Sequence, residues 1–290
     1  HHSYAPGGNS NYEYLSTPDK LNDRLTDNTM ETCNTYNMLK LTRHLFALQP
    51  AANLMDYYER ALYNHILASQ NHDNGMMCYF VPLRMGTRKE FSDSFRTFTC
   101  CVGSGMENHV KYGESIYFEG ADGSLYVNLY IPSRLSWQQK GVTVEQLTRL
   151  PAGNTVTFNI SAKKATAFPL RLRKPRWVRE GMKLTVNGKV QPTATDDEGY
   201  ITLKRTWNNG DKVELILPMD LYTEAMPDNP NRVALFYGPV VLAGQLGDKE
   251  PDPIKGIPVL VTADKDPNQW VRTNNAQSLV FRTSNVGQPA

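Results

Sequence analysis

The sequence predicts an α+β, multidomain chain, helical over roughly its first 120 residues and a β-sandwich after that. Apolar residues recur at three- and four-residue steps as far as Phe118, and at every second residue from Asp122-Gly123 onward. The strands implied by the second pattern are short and punctuated by Pro and Gly, as sandwich strands are. A length of 290 residues fits about two domains with sizeable cores. A hydrophobic share of 40% and a charged share of 21% are those of a soluble globular protein. The formal net charge of +2 encodes no strong pull toward nucleic acid or acidic membranes. No apolar run approaches the roughly 20 residues of a membrane span.

Residues 1–28 are polar and irregular, with turn signals at Pro6-Gly7-Gly8 and Thr17-Pro18-Asp19. The opening His1-His2-Ser3-Tyr4-Ala5-Pro6 lacks the basic-then-apolar pattern of a signal peptide. A first helix is expected from near Thr29 to Pro50, with Met38, Leu41, Leu45 and Leu48 as its inward stripe. A second fits about 52–69 on Leu54, Tyr58, Leu62 and Ile66, and Asn71-His72-Asp73-Asn74-Gly75 breaks it. Met76 to Phe98 reads as a loop-rich, strand-like segment holding Tyr79. A third helix is expected from about Gly105 to Phe118, opened by Ser104-x-x-Glu107 as a capping box.

The β part begins with Leu125, Val127, Leu129 and Ile131 alternating with Tyr126, Asn128 and Tyr130, a half-buried strand. Similar runs follow at Val142–Leu147, Thr155–Ile160, Phe168–Arg173, Lys183–Val186, Tyr200–Lys204 and Lys212–Leu217. Val186-Asn187-Gly188-Lys189 predicts a two-residue hairpin. The apolar run Val233–Leu242 is expected to be buried between layers, and weak strands are expected near Val259 and Val280.

Four cysteines, Cys33, Cys78, Cys100 and Cys101, are too few and too unevenly spaced for a disulfide scaffold, and the compartment stays open. Thr99-Cys100-Cys101-Val102-Gly103-Ser104-Gly105 puts two sulfurs beside a helix start, where open N–H donors favour a thiolate. Glu31, Cys33, Cys100 and Cys101 together supply the ligand types of a tetrahedral zinc site. Their spacing is not that of a finger or ribbon, and burial of the thiols as small hydrophobes is the other reading. Glu31 and Cys33 would point to opposite sides of a regular helix, so both can reach one ion only at a frayed end or kink. Glu13 follows a glycine turn and sits among aromatics, a setting that suits sugar binding and proton transfer. A solvated loop charge is the alternative.

Five ordered segments carry a resemblance: Gly7-Gly8-Asn9-Ser10 with Glu13, Met30–Asn34, Tyr63–Gln70, Thr99–His109 and Tyr237–Ala243. Together they resemble glycoside hydrolase family 127, the zinc-dependent β-L-arabinofuranosidases. The resemblance implies an (α/α)6 barrel followed by β-sandwich domains, and a retaining glycosidase acting on an arabinofuranoside-type glycan. It implies Cys100 as the nucleophile, Glu13 as the acid/base, and Glu31, Cys33, Cys100 and Cys101 as zinc ligands. Tyr79 matches an active-site, substrate-binding tyrosine, and His65 lies in a matched motif without a role. Residues 1–120 would then be the C-terminal part of the barrel and 121–226 a β-sandwich. Residues 227–290 would be a strand returning to the core plus a C-terminal β segment.

An (α/α)6 barrel needs twelve helices, and the sequence shows about three. In the family, roughly half the barrel precedes the acid/base glutamate, so this chain by itself is expected to have little or no hydrolase activity. The competing expectation is a non-catalytic carbohydrate-binding or structural β-sandwich module with a structural zinc site, drawing on Trp137, Trp177 and Trp207.

Overall fold

The computed structural model describes residues 1–245, 260–275, 279–284 and 286–287. Among them are three α-helices: α1 (Thr32–Leu48), α2 (Ala52–Ala61) and α3 (Cys100–Val110). α2 runs on through a π-helical turn, Leu62–Ile66, and a 3-10 turn, Leu67–Ser69. These pieces fill the helix expected over 52–69; Tyr58, Leu62 and Ile66 are buried as expected, and Leu54 is half-buried.

α1 has the expected period but the opposite phase. Leu41, Leu45 and Leu48 are 49%, 43% and 84% exposed, while Thr32, Thr35, Leu39, Thr42 and Phe46 are buried. Counting hydrophobicity ranks leucine above threonine, but the threonines find partners: Thr32 donates its hydroxyl to Cys78 O at 3.0 Å. Phe46 brings the largest apolar surface, edge-on to Phe118 at 4.7 Å and Tyr126 at 5.7 Å. α3 starts at Cys100, earlier than expected, and ends at Val110. Thr99 O accepts from Val102 N and Gly103 N and closes the first turn. Ser104 and Glu107 therefore lie inside the helix and form no capping box. Ser104 Oγ turns back to Cys101 O at 3.4 Å, and Glu107 accepts from the Tyr36 hydroxyl. Gly105 is mid-helix because a Cβ there would stand 2.6 Å from Met77 Cγ.

The chain divides into two compact units. One comprises Leu41–Glu59 and Val110–Asp220. It holds β1 (Tyr117–Glu119), β2 (Leu125–Val127), β3 (Ser133–Trp137), β4 (Val142–Thr148), β5 (Thr155–Ala162) and β6 (Thr166–Arg173). It continues with β7 (Lys183–Val186), β8 (Lys189–Gln191), β9 (Tyr200–Trp207) and β10 (Asp211–Ile216). One sheet orders β1-β2-β6-β9 and the other β3-β4-β5-β10-β7-β8. Every pairing is antiparallel except β2 with β6. Trp137 of β3 packs 5.2 Å from Phe168 of β6, joining the inner faces into the expected sandwich. Asn187 and Gly188 both take positive φ, 49° and 76°, as a two-residue hairpin of this type requires.

β2 departs from the half-buried expectation. The strand proper is three residues long, and Leu125 through Tyr130 are all buried, because the alternate face is covered too: Phe46 and Tyr200 pack on Tyr126, and the Tyr200 hydroxyl donates to Asn128 Oδ1 at 2.6 Å. Trp137, Trp177 and Trp207 are buried too, so they are core side chains and offer no exposed stacking surface. Arg173 is fully buried; it pairs with Asp56 and, at 2.6 Å, with Glu59, which also accepts from Trp177 Nε1 at 2.8 Å.

The other unit comprises His1–Lys40, Arg60–His109 and Leu221–Ala290. Its strands are β11 (Leu221–Met226), β12 (Asn229–Tyr237) and β13 (Val240–Val241) in one sheet, and the pair β14 (Val271–Asn275) and β15 (Val280–Thr283). Cys78 is a core thiol, packed with Tyr4, Leu21, Met30 and Val81. The run Val233–Leu242 is not buried throughout: Val233 is 48% exposed, and burial is reached at Phe236, on which Tyr222 stacks at 4.9 Å. Its apolar character reflects one end meeting the core, not cover on both faces. The strand expected near Val280 is β15, and Val259 lies outside the described residues. No described helix is long and apolar enough to cross a membrane.

Candidate metal centre and active site

Backbone pairing sets the first two ligands. Glu31 bridges to Phe80, Thr32 N donates to Tyr79 O at 3.0 Å, and Val81 N donates to Met30 O at 3.3 Å. Glu31 is thus held in extended backbone just ahead of α1, while Cys33 stands in the first helical turn. The divergence of two side chains on a regular helix does not arise, because only one of them is on the helix. The N-terminus of α3 supplies Cys100 and Cys101.

One ligand atom from each of Glu31, Cys33, Cys100 and Cys101 lies within 4.8 Å of the others. Cys101 Sγ is 3.3 Å from Cys33 Sγ and 3.9 Å from Cys100 Sγ, and Glu31 Oε1 is 3.8 Å from Cys100 Sγ and 3.9 Å from Cys101 Sγ. Two sulfurs around a tetrahedral zinc are separated by about 3.8 Å, given Zn–S bonds of about 2.3 Å. The donor set and its spacing therefore fit a single divalent cation. The electrostatics agree. Burial pushes the Cys33 thiol up to about 11 and the Cys101 thiol well above its usual range. Burial also raises the Glu31 carboxyl, helped by the Glu13 charge. A cation is what would turn these groups into anions. Cys101 is buried, Cys33 half-buried and Cys100 exposed, so the centre opens to solvent on the Cys100 side.

Glu13 reaches the same place from a turn of unusual backbone. Ser10, Tyr12 and Glu13 take φ of 77°, 49° and 70°, and Met30, against which the turn lies, takes 53°. Such left-handed non-glycine residues persist only where their surroundings hold them. Here Met30 N donates to Ser10 O at 3.1 Å, Tyr12 N to Asn28 O at 3.0 Å, and Glu31 N to Ser10 Oγ at 3.2 Å. The Tyr79 hydroxyl donates to Glu13 Oε1 and lies 3.5 Å from Cys100 Sγ. Its contacts with Cys100 and Glu13 raise the Tyr79 phenol well above its ordinary value.

All six residues singled out in the sequence come together. Two that were not are Ser10 and Ser104. Ser104 Oγ stands 3.3 Å from Cys33 Sγ, and its place in a supposed capping box hid it. Ser10 lies in the matched Gly7-Gly8-Asn9-Ser10 segment, but its part depends on the left-handed turn, which the sequence does not announce. With a cation bound the set would hold its thiols as thiolates, and it keeps the Glu13 carboxyl one hydroxyl away from Cys100.

A family model described as β-L-arabinofuranosidase, GH127 catalytic domain, matches residues 1–114, and one for the GH127 middle domain matches residues 124–219. A non-reducing end β-L-arabinofuranosidase of Bifidobacterium longum subsp. longum is 26% identical over 250 residues, covering 79% of this chain and 37% of that relative. The crystal structure of a GH127 β-L-arabinofuranosidase from Geobacillus stearothermophilus T6 superposes with a TM-score of 0.71 at 26% identity, covering 83% of this chain and 40% of that one. A second solved GH127 β-arabinofuranosidase gives 0.70 at 24% identity over 83% and 41%, which speaks to the fold alone. This chain therefore spans 37% to 41% of the length of these relatives.

Proposed function

Because the chain belongs to glycoside hydrolase family 127, we propose that the whole protein is a retaining β-L-arabinofuranosidase with Cys100 as nucleophile and Glu13 as acid/base. The observation that carries the proposal is the convergence of four metal-ligand atoms, Cys100 Sγ among them, with the Tyr79 hydroxyl between Cys100 and Glu13. The matched catalytic and middle-domain models, over 1–114 and 124–219, support a partial (α/α)6-barrel domain over 1–120 and a sandwich over 121–226; 227–290 would be a strand returning to the core plus a C-terminal β segment.

Glu31, Cys33, Cys100 and Cys101 would hold zinc, whose thiolate preference suits three sulfurs and a carboxylate. Bound there, zinc would keep Cys100 ionised near neutral pH, where free cysteine is mostly a thiol. The Cys100 sulfur attacks the anomeric carbon, forming a C–S bond as the C–O bond to the leaving group breaks. Glu13 gives its proton to the departing oxygen. Glu13 then takes a proton from water, whose oxygen displaces the sulfur from the sugar, so two inversions return the original configuration. Tyr79 donates to Glu13 and lines the path of the sugar. The exposure of Cys100 supports a catalytic role, because a nucleophilic sulfur has to be within reach of a substrate.

Elemental analysis of the purified chain, paired with iodoacetamide labelling, tests the metal. Zinc near one equivalent, and protection of Cys100 that chelation removes, are expected; no metal and constant labelling would refute the centre. In the complete enzyme Cys100→Ser should fold normally and lose turnover on p-nitrophenyl β-L-arabinofuranoside. A variant that keeps turnover rules Cys100 out as nucleophile.

A further inference from the structure

We propose that His65 is a positioning residue of the metal centre, the shared back wall against which both the Glu31–Cys33 segment and the turn leading to Glu13 are set. The inference rests on the metal reading given above. His65 is fully buried yet belongs to the π-helical turn Leu62–Ile66, a local irregularity that costs helical regularity and recurs at functional sites. The turn is pinned by its neighbour: Asn64 Nδ2 donates to Arg60 O and Pro239 O, both at 2.9 Å, and Asn64 Oδ1 accepts from Val241 N at 2.7 Å.

Two routes lead from the imidazole to the ligands. Nδ1 lies 2.8 Å from Thr35 Oγ1, and Thr35 N donates to Glu31 O at 3.3 Å, so the ring holds the first turn of α1. The same edge of the ring also meets the backbone of Gly8. A Cβ on Gly8 would come 2.6 Å from Nδ1 and 2.7 Å from Met30, so only glycine lets the chain lie there. Two residues on, Ser10 takes the Glu31 and Met30 amides, and Glu13 follows. Both routes end on Glu31. Outer residues of this sort orient metal ligands without touching the ion.

A histidine that merely fills a core would be replaceable by any side chain of similar bulk. A positioning histidine is replaceable only by one that keeps a polar atom facing Thr35. The test compares His65→Leu with His65→Asn, and Thr35→Val with Thr35→Ser, in the 290-residue chain. Cobalt affinity is measured by chelator competition and the cobalt–thiolate absorption is recorded, with thermal melting alongside. His65→Leu and Thr35→Val should each weaken cobalt binding ~10- to 100-fold and shift the absorption, while His65→Asn and Thr35→Ser stay within a few-fold of wild type. Affinity that follows melting temperature alone, or is unchanged in all four, overturns the inference. If His65→Leu does not fold, the Thr35 pair decides on the same criterion. A wild-type chain that binds no cobalt sinks the metal reading and this inference with it; a binding wild type with four indistinguishable variants sinks the inference alone.

Discussion

Ser104 shows how a single hydroxyl changes its meaning once the helix start moves by one turn. Inside α3 it lies 3.3 Å from Cys33 Sγ, placed to donate to a thiolate and stabilise its charge. Ser104→Ala should lower cobalt affinity ~10-fold while leaving the melting temperature within a few degrees. An unchanged affinity would make the hydroxyl a bystander. His65 carries a second prediction, for stability and not metal binding. Burial pushes its imidazole down to about 4, against ~6.5 in an unfolded chain. Above that unfolded value the ring is neutral in both states and costs nothing. As pH falls below it the unfolded chain takes the proton first, so stability drops until about pH 4, by up to about 3 kcal/mol. Urea unfolding at pH 7 and pH 4.5 should show that decline, smaller in His65→Asn. Residue types offered the ligand set as one of two readings, burial of the thiols being the other, and the resemblance carried by the five ordered segments chose between them. Ser10 and Ser104 were illegible, because a serine declares no role until its backbone is known.

At the scale of elements the strand positions and the buried face of α2 were readable, and the phase of α1 was not. Alternation is a two-state code: once Val142, Val144 and Gln146 face one way, the register of β4 against β5 follows. The phase of α1 depends instead on what lies beside it, and Thr32 and Thr35 won burial through hydrogen bonds that no hydrophobicity count records. The same limit hid the anchoring of α2 to β6. Arg173 on β6 meets Asp56 and Glu59 on α2 with no exposure of its own side chain. Burial raises the Glu59 carboxyl, and the nearby Arg173 charge opposes that rise. Arg173→Met should therefore strand two carboxylates and destabilise the chain by about 3–5 kcal/mol near neutral pH. The loss should shrink on acidification, because the folded variant takes up a proton on Glu59 before the unfolded chain does. Denaturant titrations at pH 8 and pH 5 decide it: a loss independent of pH would mean that packing, not charge, holds α2.

For the whole molecule, binding a metal and turning over a substrate make different demands. The ligand atoms come from one compact unit and need only local backbone: the bridge at Glu31 and Phe80, the start of α1 and the start of α3. Turnover also needs walls that orient a furanoside and exclude water, and good orientation contributes several orders of magnitude in rate. The described residues hold three α-helices where an (α/α)6 barrel has twelve, and the chain spans 37% of the curated relative. Metal content and catalysis should therefore come apart. The purified 290-residue chain should carry about one zinc, yet hydrolyse p-nitrophenyl β-L-arabinofuranoside at least ~100-fold more slowly, in kcat/KM, than a complete family member. Residual turnover should vanish in Glu13→Gln, which leaves every metal ligand in place. Full-rate hydrolysis by this chain would mean that the pocket is assembled from these residues alone, and that the sugar is oriented by groups other than those of a closed barrel.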